Sequence, residues 1–315
     1  MNIDYIETSK FIGKDSIYLG DLKSESVNIY GWHNYSVTYK GSNPMKIKYN
    51  SNTEELKVSG SLPYFMENQN FRNDLSKLRE AFTILSDTLD CDLMTSKVNC
   101  FESGITFESP FNPNHVFDSH YSIKGMERKT NKTGLLFVDA TRQIKLYNAG
   151  YRLKKVLDKD TRLSLAERGY NPKANYIRLE THYKKPERYF RTELSVNNLF
   201  REDFLQTCRT ELHSAYNSIK KAGNIIYPMN KRNCTLPSIA VYAVKDLGLR
   251  YGFNGDQYLK DLIKSLPEEL LNKEDKKNRK KALNNILKKV TQSESSCFDL
   301  KSHLREALDN PFIQY

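Results

Sequence analysis

Two rhythms of apolar and polar positions run along this chain. Leu75, Leu78, Phe82, Leu85 and Leu89 recur at helical spacing and predict a helix beginning near Asn73. "SKVNCFESGITF" reads instead as a strand from Lys97 to Phe107, whose period-two face carries Val98, Cys100 and, against the trend, Glu102. Residues 1–70 alternate in short runs such as "SVTYKGSNPMKIKYN" and "EELKVSGSLPYF", punctuated by Gly, Pro and Asn, which predicts hairpins. "TGLLFVD" and "RQIKLYN" predict another hairpin, after a loop at 110–121 rich in Asn, Pro and His. "YRLKKVLDKDTRLSLAERG" reads as a basic, broken helical segment. "NYIRLETHYKK" and "YFRTELSV" read as a strand pair joined at "KPE", and a helix from about Asn198 to Ala222 places Phe204, Cys208, Leu212, Ala215 and Ile219 on one face.

Paired strands followed by a helix, seen twice, predict an α+β fold: an antiparallel sheet with helices packed on one face. Beyond Pro237 every segment reads as helix, ending in the lysine-rich "NKEDKKNRKKALNNILKKV". The expected domains are therefore a catalytic α+β domain over 1–222 and a basic helical domain over 223–315, joined by the linker-like "AGNIIYPMNKRNCTLP".

Composition narrows the function. A chain of 315 residues with 38% hydrophobic and 28% charged residues suits a soluble globular protein with its own core. No apolar run reaches the length of about 18 residues that a membrane span needs, and the N-terminus lacks the pattern of a signal peptide. Five scattered cysteines without a CxxC pair point to a reducing cytosol rather than a disulfide framework or thiolate zinc site. The net charge of +11 favours a polyanionic partner, and 20 tyrosines and 15 phenylalanines offer stacking surfaces to single-stranded nucleic acid. Walker A, GxGxxG, GxSxG and HExxH motifs are absent, which argues against P-loop nucleotide hydrolases and dinucleotide enzymes.

Candidate chemistry concentrates on two strands. In "YIRLETHY", alternation sets Arg178, Glu180 and His182 on one face and Ile177, Leu179 and Thr181 on the other. In "IKLYN", Lys145 shares a face with Tyr147. Carboxylates and an imidazole can hold a hard divalent metal that polarises a phosphoryl oxygen, and a tyrosine can attack phosphorus covalently. Each residue also has a plainer reading: a packed strand tyrosine, a solvated Arg178–Glu180 pair, a hydrogen-bonded strand histidine.

"KVSGSLPYFMENQNF", the helix after it, "VNCFESGITF", "IKLYNAGYRL", "YIRLETHYKK" and "FRTELSV" occur in an order that resembles the gene II/X-type replication initiators of filamentous phages, relatives of plasmid rolling-circle initiators. The resemblance spans roughly residues 45–200. It implies a ferredoxin-like sheet in the cytoplasm of a bacterial host, and a nickase-ligase that cleaves one origin strand through a tyrosine-5′-phosphate intermediate. It further implies Mg²⁺ or Mn²⁺ as cofactor, origin DNA as partner, and the host helicase and polymerase as further partners. Carried onto this sequence, Tyr147 matches the nucleophile, and Glu102 and Glu180 match the family's strand glutamates. The mechanism expected on these strands has Glu102 and Glu180 holding the metal, His182 as a candidate further ligand, and Lys145 or Arg178 offsetting the growing charge. Tyr151, Arg152, Lys154, Lys155, Lys184 and Lys185 then fall to DNA contact. The chain departs from the family where Ala149, Gly150 and Arg152 follow "YN" in place of a lysine and a nearby acid, and it lacks a His-hydrophobic-His motif. Two alternatives share these features: a DNA-binding regulator without catalysis on the same fold, and a recombinase- or transposase-like strand transferase.

Overall fold

The computed structural model describes residues 2–13, 17–20, 22, 25–71, 74–156, 161, 165–166, 169–221, 235–251, 255–291 and 300–309. It forms two compact units. The first comprises Met1–Asn114, Lys124–Ser218 and Leu300–Tyr315; the second comprises His115–Ile123 and Ile219–Asp299. This differs from a simple cut at residue 222. Leu300, Leu304 and Leu308 are buried, and the terminal helix Lys301–Asp309 packs on the first unit, so the chain returns there. The linker predicted at 222–237 falls outside the described residues up to 234.

The first unit is α+β. Its strands are β1 (Asn2–Phe11), β2 (Ser26–Val27), β3 (Trp32–Val37), β4 (Met45–Asn50), β5 (Glu55–Ser61), β6 (Lys97–Ser109), β8 (Glu127–Asn131), β9 (Gly134–Val138), β10 (Arg142–Asn148) and β11 (Asn175–Tyr183). They form one ten-stranded antiparallel sheet in the order β2-β3-β4-β5-β1-β6-β11-β10-β9-β8. β5 and β6 flank β1, each antiparallel to it, and are linked through α1 (Leu62–Glu67) and α2 (Leu75–Leu89). That is a split β-α-β crossover. β6 and β10 flank β11 in the same way. The second unit holds α3 residues from His115 on (α3 is Pro113–Ser119), a small β7–β12 pair (His120–Ser122 and Lys220–Lys221), and three of the C-terminal helices.

Alternation decides which face is covered. Ile3, Ile6, Ile47, Leu56, Val58, Phe101 and Tyr183 are buried against Leu78, Phe82, Leu85 and Leu89 of α2, joined by Leu205 and Cys208 of a later helix. α2 begins at the capping Asp74, whose side chain accepts from the Ser76 N–H, close to the expected start at Asn73.

One expected strand pair is not found. β11 pairs with β10 and β6, whereas "YFRTELSV" does not form a strand: Pro186–Phe190 is a short helix (α5) and Val196–Leu199 another (α6). Pro186 has no N–H to give a ladder and sits well in a first helical turn, and Ser195 with Asn198 builds a capping box on α6. The next helix, α7, spans Glu202–Ser218 and buries Leu205, Cys208, Leu212, Ala215 and Tyr216, so its apolar stripe is slightly rotated from the expected one. The 110–121 loop is instead mostly helix and strand. In the second unit α8 (Leu236–Tyr251), α9 (Gly255–Ser265) and α10 (Lys273–Thr291) bury Val241, Leu283 and Leu287; α11 is the terminal helix Lys301–Asp309. No helix among the described residues is long and apolar enough to cross a membrane.

The β9–β10 turn is set by Asp139, whose Oδ1 accepts from the backbone N–H of Thr141 (2.7 Å) and Arg142 (2.8 Å). Burial would raise its carboxyl, but these donors outweigh that and lower it. A lowered folded value stabilises the protein above the ordinary carboxylate range and loses that stabilisation as pH falls through it. Asp139→Ala is expected to cost about 1 kcal/mol at neutral pH, and the gap from wild type should close below about pH 4. Urea unfolding at both pH values measures it.

Candidate active site

The face of the sheet opposite α2 and α7 carries the polar strand positions. Register aligns Arg178 with Thr106 and Tyr147, Glu180 with Gly104 and Lys145, and His182 with Glu102 and Gln143. The three strands that supply Glu102, Glu180, His182, Lys145 and Tyr147 are therefore neighbours, and the predicted residues do converge.

A fourth strand contributes a residue that the alternation argument missed. Ile3 pairs with Ser103 and Ile6 with Phe101, so Asp4 and Tyr5 together stand opposite Glu102. This β-bulge lets both Ile3 and Ile6 enter the core and leaves Asp4 on the polar face. The signal in the sequence is the spacing of the two isoleucines, three apart in a strand where buried neighbours should be two apart. Carboxylate oxygens of Asp4, Glu102 and Glu180 lie within 4.8 Å of one another.

Arg178 binds this group together. It is 0% exposed, and its guanidinium donates to Glu180 Oε1, to Asp4 Oδ2 (3.1 Å), to the Asn70 carbonyl (2.9 Å) and to Thr106 Oγ1 (3.0 Å). Asn70 Nδ2 also donates to Asp4 Oδ2 at 2.9 Å. Burial disfavours the charged guanidinium, but Glu180, Tyr147 and Asp4 outweigh it and raise Arg178 further. The expectation that Arg178 offsets charge on a substrate is thus corrected: it lies outside the lining of the cavity that opens onto this group, four of its N–H bonds go to acceptors inside the protein, and it positions carboxylates. It does not form a solvated surface pair either.

Lys145 Nζ pairs with Glu102 Oε1 and lies 3.9 Å from Glu180 Oε2, with 30% of its side chain exposed. His182 Nδ1 lies 3.0 Å from Glu102 Oε1. Burial would raise the Glu102 carboxyl, yet the His182 hydrogen bond and the Lys145 charge hold it down at about 2. His182 thus stands beside Glu102 and outside the three-carboxylate group, where Asp4 takes the place expected of it. Burial, with Asp4 and Glu102 nearby, raises Glu180 despite Arg178.

The Tyr147 hydroxyl donates to Glu180 Oε1 at 2.9 Å. Burial is the main cause that pushes its hydroxyl well above the usual tyrosine value, with Arg178 opposing and Glu180 and Asp4 adding. Two glycines make the close packing feasible. A Cβ on Gly134, which pairs with Tyr147, would lie 2.6 Å from Tyr147 Cβ, and one on Gly104 would lie 2.6 Å from Glu180 Cγ. Tyr147 ends β10; Tyr151 lies in α4 (Ala149–Val156), its backbone N–H bonded to Asn148 Oδ1 at 2.8 Å, its side chain 51% exposed. The two tyrosines therefore sit on different elements.

A cavity of about 540 Å³ opens onto the group and is lined by Asp4, Glu102, Glu180, Lys145, Tyr147 and Tyr151 among others, but not by Arg178. Of the residues expected to touch DNA, Lys154 and Lys185 are exposed, whereas the Lys184 ammonium donates to the Asp139 carbonyl at 2.9 Å. The side chains of Arg152 and Lys155 lie outside the described residues. No protein-family model and no curated protein matches the chain.

Three carboxylates with no sulfur or nitrogen donor among them form a hard-oxygen set that could hold Mg²⁺ or Mn²⁺. Mn²⁺ is expected to raise the Tm of the wild type in a concentration-dependent way and to leave that of Asp4→Asn/Glu102→Gln unmoved. Arg178→Met should be far more damaging without any metal, costing about 3–5 kcal/mol in urea unfolding, because it strands Asp4 and Glu180 as unpaired buried charges.

Proposed function

We propose that this chain is a rolling-circle replication initiator that nicks and rejoins one strand of origin DNA, with Tyr147 as nucleophile. The observation that carries the reading is the Tyr147 hydroxyl hydrogen-bonded to Glu180 within a group of three converging carboxylates. The net charge of +11 supports a DNA substrate.

A divalent metal held by Asp4, Glu102 and Glu180 would act as a Lewis acid on the scissile phosphate. Tyr147 Oη attacks phosphorus while its proton passes to Glu180 Oε1. The Oη–P bond forms as the P–O3′ bond breaks, leaving the 5′ phosphate on Tyr147. The departing 3′ oxygen takes a proton from Lys145 Nζ or from water, and the reverse sequence rejoins the strand. Arg178 keeps Glu180 and Asp4 fixed while this happens.

One observation favours a second reading, a DNA-binding regulator without catalysis. Arg178 and Lys145 already pair with all three carboxylates, so the group is satisfied as a structural network. That protein would bind DNA in a salt-dependent manner and never cut it.

The two readings part in one assay, with supercoiled DNA of the protein's own replicon and Mn²⁺. Nicked circles and an SDS-resistant protein–DNA adduct are expected from wild type and from Tyr151→Phe. Tyr147→Phe should lose the adduct and keep its DNA affinity within about twofold. Tight binding without nicks under any divalent metal makes the regulator the better account.

A further inference from the structure

A second cleft, of about 620 Å³, opens at the end of the sheet where β6 begins and β11 gives way to α5. Its charged lining consists of Lys97, Lys185, Glu187, Arg188, Arg191 and Glu193. Both acids are spoken for: Lys97 Nζ lies 2.7 Å from Glu187 Oε2 and 2.7 Å from Glu193 Oε2. That double pair ties the α5 segment to β6 and cancels most of the local negative charge. The segment is further anchored by Val98 N–H on the Leu194 carbonyl and Val196 N–H on the Ser96 carbonyl. Lys185, Arg188 and Arg191 remain, all exposed, with side chains that make no ion pair among the described residues. Arg191 is held at a left-handed φ of 57° as the C-cap of α5, which fixes where its side chain leaves the backbone.

The cleft lies along the same strands as the candidate active site. Asn99, in its lining, and Glu102 are three residues apart on β6, about 10 Å at the rise of a strand. Lys185 is three residues beyond His182. A single strand of nucleic acid spans such a distance in about three nucleotides, at ~3.4 Å per phosphate.

We propose that this cleft is a phosphate-backbone subsite, in which Lys185, Arg188 and Arg191 grip the DNA single strand flanking the scissile position. It rests on the DNA reading of the Tyr147 site, but it concerns binding alone. The cations neutralise consecutive phosphates and release their counterions, which requires no metal and reads no base.

The test measures fluorescence anisotropy of a labelled short oligothymidylate in EDTA over a series of salt concentrations, with the full-length chain. Arg188→Ala/Arg191→Ala should bind ~tenfold more weakly and lower the slope of log K against log salt by about 1.4, the share of two phosphate contacts on a single strand. Arg188→Lys/Arg191→Lys should recover most of both, which separates lost charge from lost fold. Lys40→Ala/Arg79→Ala removes the same charge from exposed positions outside the cleft and should match wild type. Unchanged affinity and slope in the alanine variant would overturn the proposal, as would an equal loss in the Lys40/Arg79 control. Because no metal is present, Tyr147→Phe should behave as wild type here. A chain that shows this pattern but never nicks DNA would leave the subsite standing and remove only the nickase reading.

Discussion

A fully buried guanidinium in the middle of a sheet is the constraint around which this protein is arranged. Taking Arg178 out of water is costly, and the cost is offset only if its N–H groups find acceptors and its charge finds carboxylates. Glu180 on its own strand supplies one acceptor, Asp4 on β1 the second, and the Asn70 carbonyl and Thr106 hydroxyl two more. The partners come from four separate stretches of chain. Such a network contributes little net stability compared with well-packed apolar residues, but it is unforgiving of any partner's loss. What it fixes is geometry. The β1 bulge, Gly104 beneath Glu180, and the Asn70 turn after α1 all answer to the same requirement.

The sheet and most of the site were legible because strands advertise their faces. Period two placed Lys145, Tyr147, Glu180 and His182 on polar faces, and the register then made those faces one. It set Glu102 on one face with Val98 and Cys100, but a β-bulge between Val98 and Cys100 turns Val98 into the core and leaves Glu102 beside Lys145 and His182. The order of strands could not be read in this way, since β11 inserts between β6 and β10 through pairings far apart in sequence. Asp4 escaped notice for a local reason: a bulge breaks the alternation on which the reading depends. Arg178 was placed on the right face with the wrong role, because alternation says which way a side chain points and nothing about whether water reaches it. "YFRTELSV" failed differently. Its β-branched and aromatic residues suggested a strand, but Pro186 and the Ser195 cap gave the backbone better local partners as short helices.

The electrostatics are uneven in a way that net charge conceals. A chain of +11 encloses a site whose own ionisable groups are mostly acidic, and exposed cations stand outside it, among them Lys154 on α4 and Lys185, Arg188 and Arg191 at the ends of the central strands β6 and β11. Basic surfaces gather a polyanion without choosing an atom on it. An acidic, partly buried pocket repels phosphate unless a cation intervenes.

The two cations inside the site are unequal as well. Arg178 cannot lose its proton in the working pH range and cannot move without stranding two buried carboxylates, so it serves as part of the scaffold. Lys145 touches the same carboxylate group from the other side, but its side chain is 30% exposed and lines the cavity. It has a flexible stem, a proton to give, and one strong partner to leave. With Tyr147 bonded to Glu180 and Lys145 bonded to Glu102, the two cavity-lining side chains rest on separate carboxylates of one group.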